Sequence, residues 1–185
     1  GASGYGKSSL MRAGVAPIIA RPNGALPGMD QWRRVLMQPA AGTGRLCERL
    51  ARVLLAPATE SEREHAKGHE HYALSGFPEF TDVTISDPVA KGEKWDVASL
   101  ARYLAAPEEA QAFAVGDLAE ALKRSKLHLL LQVDQLEEIF AENVTTEERA
   151  DAERADFLRA IHALAGCGQV WCLATMRSEY FPEVA

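Results

Sequence analysis

The stretch Leu127-His128-Leu129-Leu130-Leu131-Gln132-Val133-Asp134 decides the fold. Its first seven residues are almost continuously apolar, with no alternation of polar and apolar positions. A run this short, without helical period, reads as a strand buried on both faces, the type found in parallel sheets. Gln169–Met176 (QVWCLATM) reads the same way, and Trp32–Gln38 (WRRVLMQ), closed by Pro39, is a third candidate. Helical spacing lies between them: Arg45–Leu55 repeats Leu46, Leu50, Val53 and Leu54, and Thr146–Ala165 sets Phe157, Leu158, Ile161 and Leu164 on one side. Asp96–Leu104 and Glu108–Lys123 are helical too, the second expected to break or kink near Gly116. Strands alternating with helices imply an α/β fold with a parallel sheet and right-handed crossovers. The polar stretch Ala56–Lys94 has no sustained period. It reads as an irregular insertion away from the core, with a short strand at Val83–Ile85, inside one domain spanning residues 1–185.

The bulk properties narrow the function classes. The 185 residues carry 20 Lys and Arg against 26 Asp and Glu, a formal charge of −6, which disfavours a nucleic-acid or anionic-membrane surface. No apolar stretch approaches the ~20 residues that span a bilayer. Three cysteines, Cys47, Cys167 and Cys172, lack paired motif spacing and read as reduced thiols of a cytoplasmic protein, Cys172 as a small core residue.

The chain opens on Gly1-Ala2-Ser3-Gly4-Tyr5-Gly6-Lys7-Ser8-Ser9, which satisfies G-x-x-x-x-G-K-[ST] at every defined position. Such glycines let the backbone wrap phosphate oxygens with its N–H groups pointing inward. Lys7 brings a flexible cation to the β- and γ-phosphates, and the Ser8 hydroxyl can ligate Mg²⁺. A helix from Lys7 to about Ala13 follows, which Gly14 and Pro17 are expected to interrupt, and then a loop over Arg21–Asp30. Residues Gly1, Ser3, Gly4, Tyr5, Gly6, Lys7, Ser8 and Ser9 are the candidate nucleotide contacts.

The apolar strand delivers Asp134 at its carboxyl end, followed by Gln135-Leu136-Glu137-Glu138. A carboxylate there can hold Mg²⁺ beside Ser8, and Glu137 or Glu138 can orient or deprotonate an attacking water. Ligands of parallel sheets sit at the carboxyl ends of strands, so Arg177, just past the Gln169–Met176 run, would face the same edge. It is a candidate to read or stabilise the γ-phosphate, and a salt bridge to Glu179 or the acidic cluster is an equal alternative. His65, His69 and His71 have a metal-like spacing, but a polar setting without cysteine favours solvated loop histidines. Leu74-Ser75-Gly76 matches only the start of a transporter-ATPase signature and is set aside. Trp32 and Trp95 read as core or loop anchors.

Four blocks in order, GASGYGKSSLMRAGVAP, NGALPG with WRRVLMQP, LLLQVDQLEEIF and LATMRSEYF, resemble the STAND-class phosphate-loop NTPases. The similarity is closest to the novel STAND group often joined to WD or tetratricopeptide repeats, and it spans nearly the whole chain. It implies a three-layer sandwich around a mainly parallel sheet, truncated at both ends, with a strand expected before Gly1 and a lid and winged helix after Ala185. It implies ATP or ADP with Mg²⁺, slow hydrolysis, and a switch in which exchange for ATP promotes self-association and effector activation, steered by flanking repeat sensors. By position, Lys7 and Ser8 belong to Walker A, Asp134 to Walker B, Glu137 and Glu138 to the further acidic positions, and Arg177 to the sensor-1 strand. The related NACHT group carries Gly where this chain has Gln135. A small-molecule phosphotransferase and a non-hydrolysing, nucleotide-stabilised scaffold are the alternative readings of the same loop.

Overall fold

The computed structural model describes residues 6–21, 31–69, 72–140 and 147–183. Its centre is a four-stranded, all-parallel sheet of order β2-β1-β3-β4: β1 is Trp32–Met37, β2 Leu74–Ser75, β3 His128–Val133 and β4 Val170–Ala174. The register aligns Met37, Val133 and Ala174 at the carboxyl ends of three neighbouring strands. The expected α/β class and parallel sheet are therefore present.

Both faces of β3 are covered, which accounts for its unbroken apolar run. Leu129, Leu131 and Val133 join Val35, Met37 and Val170 on one face. Against them pack α3 (Leu46–Leu54), α5 (Val97–Leu104), α6 (Glu108–Arg124) and α7 (Glu147–Gly166). Leu130 and Trp32 face the other way, onto Ala16, Ala20 and Ile19 at the end of the helical run that follows the glycine-rich loop. These are the three layers of the sandwich. Burying a leucine such as Leu131 stabilises by roughly 1.5–3 kcal/mol, and β3 contributes four fully or nearly fully buried aliphatics. Cys47 and Cys172 lie within or against the main core, and burial pushes both thiols up to about 12.

Several local expectations change. The first helix does not stop at Gly14 or Pro17. It runs as α1 (Lys7–Ser9), a π-helical stretch (Leu10–Val15) and α2 (Ala16–Ile19), and Pro17 sits where the wider π bonding, Ala16 N–H to Met11 O, gives way to α2. The helix α6 continues through Gly116 without a break, because its apolar face is packed from Gln111 to Leu122. Of the loop read at Arg21–Asp30, residues 22–30 lie outside the described residues.

The stretch 56–94 is divided. Helix α4 (Glu60–Gly68) buries no residue and starts with a capping box between Thr59 and Glu62. The rest reaches the core: β2 adds a parallel edge to β1, and Phe77, Phe80 and Trp95 stack in series, with ring centroids 6.2 and 5.5 Å apart. Val83–Ile85 forms no strand, only an isolated bridge between Thr84 and Lys94. The turn after β2 depends on Gly76, whose φ is +61°, whose N–H donates to Arg34 O at 2.8 Å, and where a Cβ would overlap the Ala56 carbonyl oxygen. Gly76→Ala should therefore destabilise the chain by about 2–4 kcal/mol, read as a lowered urea midpoint with unchanged slope.

Candidate functional site

The site is built at the carboxyl edge of the sheet, where β3 hands over to Asp134. The Asp134 N–H donates to Met37 O at 2.8 Å, continuing the ladder one residue past β3. Its side chain is 1% exposed. A carboxylate so buried needs compensating donors, since desolvation alone disfavours its charge. Three are present. The Ser8 and Thr175 hydroxyls each donate to Oδ1 at 2.6 Å, and the Arg12 guanidinium donates to Oδ2 at 2.6 Å. Burial pushes this carboxyl up, but the two hydroxyls and the guanidinium together hold it below the ordinary aspartate value.

Ser8 reaches Asp134 because the helical run starts at Gly6, whose φ of +74° turns the chain out of the loop as only glycine does readily. Arg12 lies four residues after Ser8 on the same helical face. Thr175 comes from the other side. Its N–H donates to Val133 O at 2.9 Å, its carbonyl accepts from Leu136 N–H at 2.8 Å, and its hydroxyl accepts from Gln135 N–H at 2.9 Å. Gln135 itself sits at φ +60°, an unusual conformation for a side chain with a Cβ.

The two further acids are separated by the turn that carries them. Leu136–Phe140 is a 3₁₀ helix, so successive side chains diverge by about 120°. Glu137 turns toward β4, where its Oε2 accepts from Arg177 N–H at 3.3 Å and its Oε1 pairs with Arg177 Nε at 3.3 Å. Glu138 turns toward β1, where its Oε2 accepts from Ala40 N–H at 3.1 Å. Its other carboxylate oxygen has no hydrogen-bond partner among the described residues.

The structure thus brings Ser8 to Asp134 and Arg177 to Glu137, the acidic cluster and not Glu179. Lys7 is half-buried at the start of the helix, and Ser9 is exposed and does not reach the acids. Gly1, Ser3, Gly4 and Tyr5 lie outside the described residues, as does His71. His65 stacks on Tyr72 with its Nδ1 2.7 Å from Ser61 O, and no cluster of three or more His, Cys, Asp or Glu among the described residues could hold a metal unaided. Ser8 and Asp134 offer hard oxygen donors side by side, a donor set suited to Mg²⁺ when phosphate oxygens complete it. A cavity of about 630 Å³ between α3, α5 and α7 includes none of these residues. Sequence reasoning missed Arg12 and Thr175. The helical i, i+4 rule would have found the first, and aligning the ends of the two apolar runs, Val133-Asp134 with Ala174-Thr175, the second.

A parallel α/β sandwich with a serine from the helix after a glycine-rich loop bound to a buried strand-end aspartate defines a phosphate-loop NTPase. Within that class, the family model Novel STAND NTPase 1 matches residues 1–185, and the chain belongs to that family. It is a STAND NTPase module. Comparison with curated proteins and with solved structures gives no match. No helix among the described residues is long and apolar enough to cross a membrane.

The left-handed backbone at Gln135 gives a direct test. Gln135→Gly should leave stability within about 1 kcal/mol of the parent, and Gln135→Val should lower it by about 1–3 kcal/mol, both measured by urea unfolding.

Proposed function

We propose that this chain is the ATP-binding, slowly hydrolysing switch module of a signalling or defence protein, in which exchange of ADP for ATP drives self-association and effector activation. One observation carries the reading: Ser8 Oγ and Asp134 Oδ1, 126 positions apart, meet at 2.6 Å at the carboxyl edge of the sheet. This pairing is how a phosphate loop and an acidic strand come to share one metal ion. Bound there with the nucleotide, Mg²⁺ would neutralise charge on the phosphates. Gly1, Ser3, Gly4, Tyr5, Gly6 and Ser9 are assigned to the phosphate cradle, and Lys7 to the β- and γ-phosphates.

Glu138 is the better candidate to orient the attacking water. One of its oxygens is fixed by Ala40 N–H and the other remains open, whereas both oxygens of Glu137 are engaged by Arg177. Arg177 is assigned the reading of the γ-phosphate through its pair with Glu137. Flanking repeat sensors and effector domains, a cytoplasmic setting and no direct nucleic-acid or membrane contact belong to the same proposal. The net charge of −6 supports its last clause.

Lys7→Ala should weaken ATP binding by roughly a hundredfold, the worth of a charge-assisted contact of about 3 kcal/mol, and abolish ATP-dependent assembly of the full-length protein. Retained affinity with unchanged assembly, read by calorimetry and light scattering, would sink the proposal. Glu138→Gln should lower turnover by about 10²–10⁴-fold with nucleotide affinity preserved, while Glu137→Gln acts mainly on stability. The reverse pattern in a phosphate-release assay would exchange their roles.

A further inference from the structure

The acceptor capacity of Asp134 is divided unequally. Its Oδ1 is held by two neutral hydroxyls, Ser8 and Thr175, and its Oδ2 by a full positive charge, Arg12, each at 2.6 Å. The hydroxyls leave room for a cation, because each retains a lone pair once its proton is donated. The guanidinium does not, because it already supplies the counter-charge at the oxygen a divalent cation would share directly or through water. Two such cations beside one carboxylate repel strongly where the dielectric is low.

Arg12 is also built to let go. It is 41% exposed while Asp134 is 1% exposed, so its head can swing into water on a flexible stem without crossing apolar surface. Ser8 and Thr175 are short side chains set against Oδ1 from either side and have no such reach. Arg12 further lies inside the π-helical stretch Leu10–Val15, a local widening of the helix that recurs at functional sites.

We propose that Arg12 is a positioning residue that competes with the divalent cation for Asp134: it holds the carboxylate charged and aimed, and it weakens the site's grip on the metal. Competition of this kind is reciprocal, so Arg12 lowers cation affinity by the factor by which the cation loosens Arg12. The inference rests on the metal–nucleotide reading of the loop and adds to it a residue that sets how readily the metal arrives and leaves. A clamp that merely organised Asp134 would act in the opposite direction, since its loss would weaken metal binding.

The test titrates Mn²⁺ into the ADP-bound chain and follows free Mn²⁺ by electron paramagnetic resonance. Arg12→Ala should bind Mn²⁺ about tenfold more tightly than the parent, and Arg12→Gln, which keeps an amide donor without the charge, should tighten it similarly. Arg63→Ala, on the exposed face of α4, is the control for net charge and should change nothing. Folding of each variant is checked by circular dichroism. Folded Arg12 variants that bind Mn²⁺ equally or more weakly would overturn the competition, as would loss of the fold in both, which would make Arg12 structural. If the parent binds ADP and Mn²⁺ and only this difference is missing, the nucleotide reading stands. If no chain binds either probe, both inferences fall together.

Discussion

A carboxylate ionised in the interior, Asp134 at 1% exposure, is the constraint on which the rest of the structure turns. Unpaired, it would cost several kcal/mol or surrender its charge. It is satisfied by three donors from two segments far apart in sequence: the helix after the loop, through Ser8 and Arg12, and the end of β4, through Thr175. A hydrogen bond to a charged group is worth about 1.5–3 kcal/mol, so removing any one donor is felt while no single one carries the whole. The same three bonds bring helix, central strand and edge strand to one place. Parallel strands make this possible, because every crossover returns the chain to the same edge and strand ends collect there.

What could be read from the sequence follows from where period and burial coincide. The strand β3 was legible because both its faces are covered, so Leu129 and Leu131 serve one layer and Leu130 the other. The helices α3, α5 and α7 were legible because a single face repeats every three or four residues. The stretch after α4 was not. Its core contribution is Phe77, Phe80 and Ile85 in 3₁₀ turns and connections, with Phe77 stacked on Phe80 and Phe80 on Trp95, and side chains so arranged leave no periodic trace. Gly116 and Pro17 misled for a related reason. Local propensity argues for a break, but tertiary packing holds α6 through Gly116, and the change from π- to α-helical bonding takes up Pro17.

The site shows the same division between chemistry and partnership. Ser8, Asp134, Glu137, Glu138 and Arg177 were named because their residue types in those positions suggest a reaction. The juxtaposition of Ser8 with Asp134 was legible too, but Arg12 and Thr175 suggest no reaction by their type and matter only through contacts that span 122 and 41 positions. Gln135 carries a similar lesson: its φ of +60° is a conformation glycine adopts freely, and a glutamine there does not announce it.

The divergence of Glu137 and Glu138 is the last consequence of local geometry. Adjacent residues of any helical turn lie about 100–120° apart, so the 3₁₀ turn after Asp134 sends one acid to each neighbouring strand end. Glu137 is tied to Arg177 beyond β4 and Glu138 to Ala40 beyond β1. The edge of the sheet thus holds three separate contacts, Ala40 with Glu138, Thr175 with Asp134, and Arg177 with Glu137. What joins them is the backbone of the turn: Gln135 N–H and Leu136 N–H both donate to Thr175, so the turn that carries the two glutamates is tied to the residue that also holds Asp134.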